Sequence, residues 1–79
     1  MTEKEKIINT FEERFDGWGI YEIEFVNDCV FIEIEGDWKH AHMHADYLME
    51  QLGYVCGYKK VTEEDGSDWY SATHGYVKA

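Results

Sequence analysis

The residues best suited to chemistry near neutral pH are the histidines, and three of the four crowd into His40-Ala41-His42-Met43-His44. An imidazole can hold a metal or take a proton, so such a cluster asks for a geometric test. On an α-helix at about 100° per residue, His42 lies roughly 160° around from both His40 and His44, so the three cannot converge. His40 and His44, at i and i+4, do share a face and can enclose a metal with His74 or a carboxylate. The pattern lacks the glutamate that follows the first histidine in metalloprotease helices. The same pair can serve as general base beside Asp46 or Tyr47. No serine or cysteine nucleophile stands in a recognisable context, however, and no glycine-rich phosphate loop is present. The chain is therefore expected to be no enzyme and to need no cofactor, its histidines lining a polar helix face that borders the core.

Two other groups of residues invite chemistry. Glu63-Glu64-Asp65-Gly66-Ser67-Asp68 is rich in carboxylates, but its spacing is not that of an EF-hand and no glutamate closes the loop, which leaves a solvated turn. Cys29 and Cys56 are far apart and belong to no Cys-x-x-Cys pattern, as expected of two reduced thiols in a cytoplasmic protein.

The strongest lead is electrostatic. The chain carries 17 acidic and 7 basic residues, a net charge of −10, and 11 of the acids but only 3 of the bases fall before residue 38. Such a field repels nucleic acid and anionic membranes and attracts basic surfaces. Residues 18–37 alternate strictly and fold back at Asn27-Asp28, which reads as a hairpin with Val26 opposite Cys29. Phe25 then faces Val30, Ile23 faces Ile32 and Tyr21 faces Ile34, giving one apolar side. The other side sets Glu22 opposite Glu33, with Glu24, Glu35, Phe31 and Val26 beside them. Like charges across a ladder are destabilising, so this face tolerates a cost.

The remaining elements follow from caps and periodicity. Thr2 and Glu5 stand at capping-box positions before a helix whose stripe is Ile7, Ile8, Phe11 and Phe15, ended by Gly17. Asp37 caps a second helix that runs to Leu52 and stops at Gly53, with Trp38, Ala41, Ala45, Leu48, Met49 and Leu52 on one face. Residues 54–62 and 69–77 form a second hairpin. With Asp65-Gly66 as its turn, Val61 pairs with Tyr70 and Val55 with Tyr76 on a core face shared by Gly57 and Ala72. Tyr54, Tyr58, Lys60, Trp69, Ser71 and Thr73 then lie on the opposite face, beside the acids. The expected fold is α+β, one domain over residues 1–79 in the order α-β-β-α-β-β. A four-stranded antiparallel sheet carries both helices on one face.

In size, acidity and economy the chain resembles the small anti-defence proteins of bacteriophages and mobile elements, of the anti-CRISPR and DNA-mimic type. Gly36-Asp37-Trp38-Lys39-His40 and Gly66-Ser67-Asp68-Trp69-Tyr70-Ser71 are also similar to segments of an uncharacterised bacterial small-protein family. The anti-defence resemblance implies a carboxylate surface that occupies the nucleic-acid groove of a host protein. The resemblance carries over no site residue; read from the residues themselves, the expected binding face is Glu22, Glu24, Phe31, Glu33, Glu35, Tyr54, Tyr58 and Trp69, docking on a basic protein surface. The acidic field leads to no expected direct contact with nucleic acid or membrane. The alternatives are a metal-binding or hydrolytic protein using His40, His44 and His74, and a homodimer closed through the open sheet face.

Overall fold

The computed structural model describes residues 2–66 and 68–79; Met1, which opens the chain, and Ser67, in the expected second turn, lie outside the described residues. Helix α1 spans Glu3–Arg14, strand β1 Ile20–Val26 and strand β2 Cys29–Asp37. A π-helical turn over Trp38–His42 leads into helix α2, Met43–Gln51, followed by strands β3, Tyr54–Glu64, and β4, Trp69–Lys78. The strands form one antiparallel sheet in the order β1-β2-β4-β3, with both helices packed on the same face. No helix among the described residues is long and apolar enough to cross a membrane.

Local signals account for most boundaries. The Thr2 hydroxyl accepts from the Glu5 amide at 3.2 Å while the Glu5 carboxylate accepts from the Thr2 amide, closing the expected capping box. In the first hairpin Asn27 takes a φ of 55°, and the pairing runs Val26–Cys29, Phe25–Val30, Ile23–Ile32, Tyr21–Ile34 and Glu22–Glu33, as the alternation predicts. Val30, Ile32 and Ile34 are buried beneath Ile7, Phe11, Phe15, Leu48 and Met49. Phe11, Phe15 and Tyr21 make a ring cluster at centroid distances of 5.3–5.4 Å. The burial of this apolar set, at about 25 cal/mol per Å², is what holds the helices to the sheet.

The second helix departs from expectation at its start. Asp37 caps it, accepting from the Lys39 and His40 amides at 2.8 and 3.2 Å, but the first turn is π and the Met43 amide reaches back to the Trp38 carbonyl. The wider turn changes the phase of everything before Met43. Trp38, expected in the core, is 38% exposed, while His42, expected on the polar side, is 1% exposed. The turn also lies close to the sheet. A Cβ on Gly36 would come within 2.6 Å of the Ala41 Cβ, so only glycine fits there.

The second hairpin corrects another expectation. Val61 pairs with Ala72 and Val55 with Val77, because the connection is longer than a two-residue turn and β3 carries two bulges, between Cys56 and Tyr58 and between Val61 and Glu63. Each bulge reverses which residues face the helices. Tyr54 therefore falls on the helix side, 5% exposed, rather than on the open face with Tyr58. Val55 moves to the open face and is exposed, as is Val61 at the sheet edge. Along β4 the expected faces hold, with Ala72, His74 and Tyr76 buried beneath the helices.

Candidate functional site

Beneath α2, β4 delivers His74 and Tyr76 from alternate positions, while α2 contributes Asp46 and the π turn contributes His42. The bulge after Cys56 keeps that thiol on the same side, opposite Tyr76. His42, Asp46, His74 and Tyr76 form one polar network inside an otherwise apolar layer, and the exposed Cys56 thiol, which donates to the Tyr58 carbonyl at 3.3 Å, stands at its edge. His42 Nε2 lies 3.2 Å from the Tyr70 carbonyl, and His42 Nδ1 lies 2.9 Å from His74 Nε2. His74 Nδ1 sits 3.1 Å from Asp46 Oδ1 and 2.9 Å from the Tyr76 hydroxyl, which itself donates to Asp46 Oδ1 at 2.6 Å. Lys59 Nζ, from β3, reaches Asp46 Oδ2 at 3.1 Å.

The acceptors decide where the protons go. A carbonyl only accepts, so His42 Nε2–H donates to Tyr70. Burial lowers the His42 pKa despite the favourable Tyr70 contact, so the ring is neutral and its Nδ1 accepts from His74 Nε2–H. His74 Nδ1 is then the nitrogen turned toward oxygen, facing a carboxylate and a phenol whose own proton is spent on that carboxylate. Between His74 Nδ1 and Asp46 the geometry calls for a positive species, a proton or a metal ion. Burial works to raise the Asp46 carboxyl, but hydrogen bonds from His74, Tyr76 and Lys59 outweigh it and hold the pKa at about 2. Burial and the neighbouring Asp46 charge push Tyr76 far above its ordinary range, so it stays a neutral donor. The same two causes push the Cys56 thiol up.

Among the described residues, Asp46, Cys56 and His74 offer an oxygen, a sulfur and a nitrogen all within 4.8 Å of one another. No family model, curated protein or solved structure matches the chain.

The expected histidine trio does not assemble. His40 is exposed and lies 3.4 Å from Asp37, on the outside of the π turn. His44 packs on Trp18 at a centroid distance of 4.0 Å and donates from Nε2 to the Arg14 carbonyl at 2.8 Å, tying α2 to the end of α1. His74 is buried with His42 instead, the histidine that α-helical spacing set aside. Sequence reasoning also missed Asp46 and Cys56 as ligands, because residues 46, 56 and 74 come from three elements and form no local pattern.

The open face of the sheet is the second candidate. Glu22 pairs with Glu33, and Glu24 with Phe31, on the side away from the helices. Phe31 meets Tyr58 edge-on at 6.4 Å across Gly75, where a Cβ would crowd the Phe31 ring and the Tyr58 Cβ, each at 3.0 Å. Glu22, Glu24, Glu33, Phe31 and Thr73 line a shallow hollow of about 100 Å³. Glu35 and Trp69 extend the same face, so every expected binding residue except Tyr54 is on it.

Proposed function

We propose that this chain binds a zinc-type divalent cation through Asp46, Cys56 and His74. The observation that carries the reading is the orientation of His74. Its Nε2–H is committed to His42, and its Nδ1 is turned into a cluster that also holds a carboxylate and a thiol. Metal-bound histidines characteristically donate their other N–H to a fixed acceptor, which sets the tautomer and the ring plane. His42, anchored on the Tyr70 carbonyl, supplies that acceptor here. Mixed S, N and O donors suit zinc, and three protein ligands leave a fourth position for water. Lys59 now neutralises Asp46 from the solvent side, and its exposed side chain can withdraw when a cation arrives. The thiol is not poised as a nucleophile. Burial raises the Cys56 thiol, and His74 has no free nitrogen left to act as its base.

The test is titration of chelator-treated protein with Co²⁺ and Zn²⁺. One ion per chain and a cobalt–thiolate absorption band are expected. Cys56→Ala should remove the band and weaken binding, whereas His40→Gln and His44→Gln should change neither. Failure to take up metal, or uptake indifferent to Cys56→Ala and Asp46→Asn, would sink the reading.

A second reading is supported by the open acidic face. Four glutamates around Phe31, with Tyr58 and Trp69 alongside, give steering charge and aromatic anchors for a basic protein surface. A nucleic-acid-handling partner is the natural occupant, as in inhibitors of the anti-CRISPR and DNA-mimic type. Capture of such proteins should be competed by DNA, reversed by salt and lost when Glu22, Glu24, Glu33 and Glu35 become lysine. It should survive Cys56→Ala, which separates the two readings.

A further inference from the structure

Strand β3 lies at the edge of the sheet, bonded only to β4, and every residue from Val55 to Glu64 is exposed. Such an edge offers unpaired backbone groups to any passing strand, and proteins usually protect it with charge and bulges. The charges on β3 have an order that does more than protect. Lys59-Lys60-Val61-Thr62-Glu63-Glu64 is two cations, two neutral residues and two anions, a locally neutral stretch in a chain of net charge −10. Lys60, Glu63 and Glu64 form no ion pair among the described residues.

The bulge makes this order self-complementary. Lys60 pairs with Thr73 and Glu63 with Ser71, so both project from the open face. Lys59 pairs with His74 and Glu64 with Tyr70, so both project from the helix face. In a regular strand, residues three apart would lie on opposite faces. Thr62 is the extra residue, its hydroxyl donating to the Ser71 carbonyl at 3.1 Å, and it brings Lys60 and Glu63 to the same side. A symmetric antiparallel partner centred on Val61 would then meet Lys60 with Glu63, twice over by symmetry, while Lys59 keeps its Asp46 partner. A parallel partner in register would meet like with like.

We infer that a second copy of this chain adds antiparallel to β3 about a two-fold axis at Val61, paired by Lys60 and Glu63, to make an eight-stranded sheet. The contact is isologous and closes at two copies. The main chain supplies the affinity, as in other strand additions, and the charges set direction and register. The axis stands perpendicular to the sheet, so both acidic faces come to lie on the same side of the dimer.

Sedimentation equilibrium in the presence of a chelator tests this, the chelator preventing metal from bridging copies through Cys56. The wild-type chain should dimerise. Lys60→Glu and Glu63→Lys should each weaken the dimer about tenfold or more, since each turns two attractive pairs into repulsive ones. An equimolar mixture of the two variants should recover a heterodimer, and the chain carrying both changes should recover a homodimer. A chain that is monomeric throughout, a dimer indifferent to the single reversals, or variants that do not rescue each other when mixed would each overturn the inference.

Discussion

Asp46→Asn provides the sharpest energetic probe of the buried network. The carboxylate accepts from Tyr76 at 2.6 Å, faces His74 at 3.1 Å and Lys59 at 3.1 Å, and these contacts take its pKa from an ordinary 3.8 to about 2. At about 1.4 kcal/mol per pKa unit, the difference corresponds to about 2 kcal/mol of stability. Only a quarter of the side chain is exposed, so solvent screening takes little of it. Because the folded-state pKa is depressed, the contribution is complete above pH 3.8 and is lost as the pH falls through about 2. Asparagine keeps an acceptor for Tyr76 but removes the charge.

Urea unfolding of metal-free protein, followed by circular dichroism from pH 7 to pH 2, measures the effect. Wild type should exceed Asp46→Asn by about 2 kcal/mol at pH 7, with the gap closing between pH 4 and pH 2. The other carboxylates titrate in both proteins, so the difference reads Asp46 together with the His74 and Lys59 contacts it makes. Two curves that stay parallel down to pH 2 would mean that Asp46 is not charged against His74 and Lys59, and the proton assignment of the network would fall with it.

Three simpler changes test the frame around the site. Gly36→Ala should cost about 1–3 kcal/mol, read by thermal or urea unfolding, because its Cβ would meet Ala41 at 2.6 Å and force the π turn off the sheet. Ile32→Ala and Leu48→Ala, both buried in the core between the sheet and the helices, should each cost about 2–5 kcal/mol in the same assay. Glu33→Gln or Glu33→Lys should leave stability unchanged or raise it by up to about 1 kcal/mol, since Glu33 lies directly across from Glu22 on an exposed face.

The first hairpin was legible residue by residue because its alternation is unbroken and its turn has two residues, so one register satisfies every apolar position. The second was not. Counting by twos cannot see a bulge, and of the two in β3 the one between Cys56 and Tyr58 sent Tyr54 into the core and Val55 out of it. Gly57, an isolated glycine inside a strand, was the available sign of the first bulge. The site was hidden for a related reason. One added residue in the turn before α2 rotates His42 inward, and a reading at 100° per residue discards it. Nothing in the spacing of Asp46, Cys56 and His74 signals a cluster, since three separate elements bring them together only after the sheet has formed.

The two candidate surfaces lie on opposite sides of one strand, which makes their independence testable. Along β4, Thr73 and Gly75 face the acids while His74 and Tyr76 face the network, and the strand period keeps the two sets of side chains apart. Only the long-range field can connect them. Each glutamate-to-lysine change adds two charges, so reversing Glu22, Glu24, Glu33 and Glu35 takes the chain from −10 to −2. A field from the far face is screened over about 8 Å at physiological salt but over about 30 Å at 0.01 M. The quadruple variant should therefore bind Zn²⁺ or Co²⁺ as wild type does at physiological salt and more weakly at 0.01 M, with the same cobalt–thiolate band throughout. Loss of the band at physiological salt would show that the acidic face helps to build the metal site, and that the sheet does not separate the two functions.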